Sequence, residues 1–127
     1  MAPAETLLAV LAQMRPEGGA LELNILKLHN LFYQASQKPE FKALLAEFSF
    51  DTRDVEAVSP DLESALFSLQ LGSYLESSGL HSNRYFINKN ATTYYEWNIK
   101  RNLSQDQCRT IDDFTGYVKK SLNQNKL

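Results

Sequence analysis

Three side chains in this sequence could support nucleophilic catalysis, namely Cys108, His29 and His81. A cysteine nucleophile needs a histidine base within hydrogen-bond reach and a third group that orients the histidine. Cys108 lies on the apolar face of a predicted helix, where thiols are usually buried and inert. We expect His29 on a helix surface and His81 in a loop, and neither has the spacing of a zinc site. The sequence therefore predicts no catalytic residue, no metal, no cofactor and no enzymatic activity.

Aromatic and basic side chains alternate in the second half of the chain, and together they could bind nucleic acid. Aromatic rings stack on bases, while lysine and arginine contact phosphates. The rings are Tyr85, Phe86, Tyr94, Tyr95 and Trp97. The candidate phosphate contacts are Arg84, Lys89, Lys100, Arg101, Lys119 and Lys120. We favour the alternative that most of these rings pack in the core, because aromatic residues supply much of the buried area of a small domain.

The stretch between Arg53 and Arg84 has no lysine or arginine, although it contains the best-defined helix of the sequence. The charged residues of that predicted helix are Asp61, Glu63 and Glu76. Carboxylates repel a polyanion such as DNA but attract a basic protein surface. We therefore predict that these three acidic residues bind a protein partner.

Charge is unevenly distributed along the chain, whose formal net charge is -2. Residues 1–79 contain five basic and eleven acidic side chains, whereas the remainder contains eight basic and four acidic ones. The second part could favour an anionic partner. Its basic residues are spread out, however, so we favour their interpretation as ordinary solvated helix faces.

Hydrophobic periodicity predicts helices at residues 4–14, 21–36, 39–48, 59–79 and 104–122. Ser104 and Gln107 form a capping box that begins the last helix. A strand is predicted at residues 84–88, and a three-residue strand is a weaker prediction at 48–50. Residues 92–99 suit either a second strand or a helix, and we favour the helix. The end of the chain from residue 123 is expected to fray.

We expect the helix at 59–79 to lie at the centre of the fold. Ser59 and Pro60 are favourable residues for its start, and Gly79 is expected to end it. A helix that is apolar around much of its girth is usually buried. One stripe contains Leu62, Ala65, Leu66 and Leu69, and the other contains Phe67, Leu71, Tyr74 and Leu75. Either the C-terminal helix or a second copy of the chain covers the second stripe, so the sequence leaves open whether the protein is a homodimer.

The order of these elements predicts a mainly α (α+β) fold in a single domain, residues 1–127. Its winged-helix-like core would span about 21–90 with a short strand or hairpin, followed by a C-terminal helical segment at about 91–122. A chain of 127 residues can bury one sizeable core. No apolar run reaches the roughly 18 to 20 residues of a membrane helix, and the first residues lack the basic start of a secretory signal. We therefore expect a cytoplasmic protein that does not bind membranes.

Two segments also carry a family resemblance. The segment from Leu26 to Ala35, with its Lys27-Leu28 pair followed by aromatic residues, resembles the first helix of Panacea-type antitoxin domains and of some winged-helix-like bacterial proteins. The helix that opens with Ser59-Pro60 and contains Leu71-Gly72 is similar to their second conserved block. The resemblance implies a bacterial or phage protein that neutralises a protein partner.

Two functions follow as expectations. The first is a non-enzymatic, antitoxin-like or accessory module that binds a protein with a basic surface. The alternative is a DNA-binding transcriptional regulator that contacts phosphates through the wing and the later basic residues. We favour the protein-interaction module because the helix expected to read DNA is acidic.

Overall fold

The computed structural model of this chain describes residues 1–79 and 83–123. The predictions for His81 and for the tail beyond residue 123 lie outside those residues. The helices are α1 (Pro3–Met14), α2 (Ile25–Ser36), α3 (Pro39–Lys42), α4 (Pro60–Leu71), α5 (Lys89–Tyr94) and α6 (Gln105–Asn123). A π-helix (Tyr95–Ile99) and a 3-10 turn (Lys100–Asn102) connect α5 to α6. The strands are β1 (Ala20–Glu22), β2 (Leu75–Ser77) and β3 (Arg84–Ile87). The fold is mainly helical with a small antiparallel sheet, as predicted.

The central helix is α1, not the helix predicted at 59–79. Every residue of α1 from Thr6 to Ala12 is buried, because leucine, valine and alanine surround its axis. Helices α4, α5 and α6 and the π-helix all pack against it. The helix that we expected at the centre is therefore peripheral, and it buries only one side.

The second predicted helix starts later than expected, because Leu21 belongs to strand β1. Gly18 and Gly19 both have positive φ angles, which glycine adopts without strain. A Cβ atom at Gly19 would lie 2.7 Å from the Ile87 carbonyl oxygen, so only glycine lets the two strands approach here. Helix α2 then begins where the Asn24 side chain accepts a hydrogen bond from the Lys27 backbone N–H, at 3.1 Å.

The helix predicted at 39–48 ends at Lys42, and turns follow it. Its predicted apolar contacts are nevertheless largely correct, since Phe41, Leu45 and Phe48 are all buried. The predicted strand at 48–50 is replaced by one isolated bridge between Asp51 and Val58. The chain returns through this bridge to the start of α4.

Helix α4 ends at Leu71, and the prediction that it extends to Gly79 is wrong. Gly72 lies at its C-cap, where a Cβ atom would stand 2.7 Å from the ring of Tyr74. Ser73 has a φ of 60°, which turns the chain away from the helix axis. The next residues form β2, so the apolar period that seemed to extend the helix continues as a strand.

Strand β3 is the middle strand of the sheet, with β1 and β2 antiparallel on either side. Leu75 and Ile87 face each other across β2 and β3 and are both buried against the helices. The strand predicted at 84–88 is confirmed. The winged-helix-like assignment stays a prediction, and a hairpin that follows α4 is compatible with it.

Residues 92–99 are helical, as we favoured. The capping box at the start of α6 is also confirmed, because the Ser104 Oγ accepts the Gln107 N–H at 3.1 Å and the Gln107 side chain accepts the Ser104 N–H at 2.9 Å. Helix α6 closes the core through Phe114, whose ring packs edge-on against Phe32 with centroids 5.1 Å apart. Within residues 1–79 and 83–123, no helix has the length and apolarity needed to cross a membrane.

Candidate docking face

The outward side of α4 carries an exposed apolar row. Phe67 is 62% exposed and Leu71 is 71% exposed, and they lie four residues apart on one side of the helix. Glu63 is also exposed and continues the same row one turn earlier. The opposite side of α4 is buried through Leu62, Ala65, Leu66 and Leu69. We call this row, Glu63–Phe67–Leu71, the α4 row.

Helix α2 fixes the start of α4 through a buried histidine. His29 is only 2% exposed, so its predicted position on a helix surface is wrong. Its Nδ1 accepts a hydrogen bond from the Ser59 backbone N–H at 2.9 Å, and the Ser59 Oγ accepts the Leu62 N–H at 3.2 Å. The next residue, Asn30, accepts the Ala57 N–H at 3.2 Å. Two consecutive side chains of α2 therefore hold the segment that enters α4.

The protonation state of His29 follows from this geometry. An Nδ1 that accepts a backbone N–H carries no proton, so the ring is neutral. Burial lowers the pKa of His29 below its usual 6.5, and the nearby Glu63 carboxylate partly opposes that shift. The bond to Ser59 therefore depends on a histidine that stays neutral.

The three predicted protein-binding carboxylates do not form one site. Asp61 accepts hydrogen bonds from the backbone N–H and the hydroxyl of Ser49, both at 2.7 Å, and these bonds lower its pKa. Its role is thus to hold the preceding segment against α4. Glu63 alone lies in the α4 row. Glu76 belongs to β2 rather than to a helix, so its predicted place on an acidic helix is wrong.

Glu76 and Arg84 lie on the same outer face of the sheet, although we predicted them for opposite partners. Glu76 is opposite Phe86, and Arg84 is opposite Glu22 in the ladder. Side chains opposite each other in an antiparallel pair have Cβ atoms about 5 Å apart. The guanidinium of Arg84 also lies over the Phe86 ring, 5.9 Å from its centre. Arg84 therefore has carboxylates beside it, which disfavours a phosphate contact.

The other predicted nucleic-acid contacts are dispersed. Lys89 begins α5, while Lys100 and Arg101 lie just before α6. Lys119 and Lys120 are near the far end of α6, about 20 Å from its start at 1.5 Å per residue. Lys119 lines a groove of about 610 Å³ beside β1, together with Lys27 and Leu122. The structure therefore does not bring the six basic candidates together into one patch.

Cys108 is only half-buried, which corrects the prediction of a buried thiol. The nearby Tyr95 is buried, and that burial, followed by the charge of Asp112, raises its pKa to about 12. Gln13 donates to the Tyr95 hydroxyl and accepts from Thr115, so these polar groups are paired with each other. Across the described part of the chain, no three histidine, cysteine or acidic side chains are grouped as metal ligands would be.

Sequence reasoning identified Phe67 and Leu71 as a second apolar stripe but expected them to be covered. Their exposure could have been predicted from the polar residues Glu63, Ser64 and Ser68, which share this side of the helix. The contact between His29 and Ser59 was not predicted, because the two residues are thirty positions apart. Comparison with known proteins adds nothing further, because no family model, curated protein or solved structure matches this chain.

Proposed function

We propose that this protein is a non-enzymatic interaction module that docks a protein partner on the α4 row. The exposure of Phe67 and Leu71 carries this proposal, because large apolar side chains that are adjacent and exposed are typical of interaction surfaces. Aromatic residues are also enriched among the side chains that dominate binding energy. Their backbone is rigid here, since the other side of α4 is packed on α1.

The charges around the row favour a partner with a basic surface. Helices α1 and α4 and strand β2 pack together, and none of them contains a lysine or an arginine. Glu63 lies in the row itself. A partner whose apolar pocket has a basic rim would bury the two apolar side chains and pair with the carboxylate. An antitoxin-like role, in which the module covers the basic working surface of its target, fits this chemistry.

A second copy of the chain is a poorer occupant. A symmetric contact between two α4 rows would join two acidic surfaces with no basic side chain from α1, α4 or β2 to pair with them. A basic protein offers the missing charge.

Differential capture tests the proposal. We expect the Phe67→Ser/Leu71→Ser double variant to lose a basic protein that the unmodified chain captures from its host. The matched control is Leu26→Ser, which removes a 56% exposed leucine from α2. Glu63→Lys should weaken capture, whereas Glu76→Lys on the sheet should not. Equal capture by the double variant and the unmodified chain would refute docking on α4.

The DNA-binding alternative has weaker support because its basic candidates are divided among β3, α5, the 3-10 turn and α6. Random duplex DNA at low ionic strength tests it directly. Binding through several phosphate contacts would weaken steeply as salt rises, since condensed counterions are released. We expect little retention of duplex DNA at any salt concentration. Strong, salt-sensitive retention would favour the regulator instead.

A further inference from the structure

Trp97 forms an exposed platform on the π-helix, away from the α4 row. Its side chain is 57% exposed, and the Arg101 guanidinium lies over one face of the ring, 3.7 Å from the ring centre. Lys100 and Glu96 complete a shallow depression of about 510 Å³ around the ring. The depression thus combines an aromatic surface with two cations.

The burial of its neighbours explains why the ring points outward. Tyr95 and Ile99 are both buried and anchor this segment, which packs against α1. Residues four apart lie on one side of a helical segment, and Trp97, midway between them, lies on the other. Single π-helical turns are rare and are found frequently at functional sites. The exposed tryptophan and the unusual helix are separate observations that point to a ligand here.

Arg101 is already placed to bind an anion. A guanidinium stacked on a ring keeps its N–H donors at its edge, where phosphate oxygens can reach them. Among the described residues, no carboxylate forms an ion pair with Arg101. Lys100 pairs with Glu96 at 3.7 Å, but both side chains are half exposed, so that pair is weak and can yield to a phosphate.

We propose that Trp97, Arg101 and Lys100 bind single-stranded nucleic acid. An unpaired base stacks on the free face of the indole, and the adjoining phosphates contact the two cations. A duplex fits less well because its bases are already stacked inside the helix. An acidic peptide could engage the cations but has no flat ring for Trp97. This site is independent of the α4 row, so either proposal can fail without the other.

Trp97 is the only tryptophan of the chain, so its fluorescence reports this site alone. We expect an oligothymidylate of about ten nucleotides to quench that fluorescence at low salt, because a stacked base lies against the indole. With two phosphate contacts, the logarithm of affinity should fall with the logarithm of salt with a slope of about -1.4. An equally charged polyglutamate should leave the fluorescence unchanged.

Substitutions separate stacking from general attraction. With a labelled oligothymidylate, Trp97→Leu should weaken binding about tenfold or more, since one stacked base is lost. Arg101→Ala should weaken it about fivefold, whereas Arg109→Ala, a matched exposed arginine on α6, should not. Circular dichroism confirms that each variant is folded. The proposal is overturned if oligothymidylate does not quench, if polyglutamate quenches equally, or if Trp97→Leu binds normally.

Discussion

Helices α1 and α4 each contain twelve residues and pack against each other, yet they are stabilised differently. Helix α1 is buried all round from Thr6 to Ala12, and its N-cap residue, Ala2, has no side-chain acceptor; only the Glu5 carboxylate bonds there, accepting the Ala2 N–H at 3.2 Å. Helix α4 buries one side only, but Ser59 caps its start and His29 holds Ser59. The comparison shows that a helix whose start is held by hydrogen bonds can leave one face exposed. Such a face is free to bind without endangering the core.

The largest expected effect is the loss of packing in α1. Leu7 is fully buried in the core, so Leu7→Ala removes apolar contacts and leaves a cavity there. We expect the free energy of unfolding to fall by about 2 to 5 kcal/mol. Urea unfolding followed by circular dichroism measures it. A loss below about 1 kcal/mol would mean that α1 is not the packing centre.

A smaller effect is expected where α4 begins. Ser59→Ala removes the oxygen that accepts the Leu62 N–H, and it leaves this buried donor without its partner. Loss of such a cap costs about 1 kcal/mol, with a range of roughly 0.5 to 2. Ser104→Ala, at the exposed capping box of α6, is the matched control and should lie at the low end. A neutral result for Ser59→Ala would show that His29 and burial alone define the start of α4.

Stability should also depend on pH at the same place. The folded-state pKa of His29 is below its unfolded value of 6.5, so the unfolded chain binds the proton more readily. Stability is therefore full above about pH 6.5 and falls as the pH drops below it. His29→Gln, whose side-chain oxygen can still accept the Ser59 N–H, should flatten this dependence between about pH 5 and 6.5. His81→Gln is the control; if it flattens the curve and His29→Gln does not, the assignment to His29 is wrong.

At still lower pH, Asp61 should contribute through its charged form, whereas His29 contributes through its neutral form. Hydrogen bonds from Ser49 lower its pKa below 3.8, so the ionised carboxylate stabilises the fold above that value. The contribution is lost as the pH falls through the folded-state pKa. Asp61→Asn should therefore reduce the loss of stability below about pH 4, which denaturation at fixed urea concentration can measure.

The smallest effect is expected for the exposed face of α4. Leu71→Ala makes the same chemical change as Leu7→Ala, but at a side chain that is 71% exposed. Exposed substitutions away from special features usually change stability by less than about 0.5 kcal/mol. We expect Leu71→Ala to unfold like the unmodified protein while binding its partner less well. A loss comparable to that of Leu7→Ala would mean that Leu71 is part of the core.

Local patterns were enough to predict α1, β3 and α6, because periodicity, β-branched content and a capping box act within a few residues. They did not end α4 at Leu71, since Tyr74 and Leu75 continue a helical period although Gly72 and Ser73 turn the chain. Nor could they place α1 at the centre, because both helices have broad apolar surfaces. Which of α1 and α4 is central depends on which of them the remaining helices cover.

The candidate sites required three-dimensional contacts. The sequence identified Asp61, Glu63 and Glu76 through their negative charge. Charge alone does not show that the Asp61 carboxylate is hydrogen-bonded to Ser49 or that Glu76 lies on a strand. His29 meets Ser59 only when α2 packs beside the start of α4. The exposure of Trp97 likewise depends on which side of its segment packs against α1, where Tyr95 and Ile99 are buried.

A photo-reactive phenylalanine analogue introduced in the host cell tests docking on α4 most directly. Placed at position 67, it would lie within the α4 row; placed at position 26, it would be nearly as exposed, but on α2. We predict that illumination links position 67 to one discrete protein with a basic surface and that position 26 gives no such product. The absence of a product at position 67, or the same product from both positions, would contradict a docking site on α4.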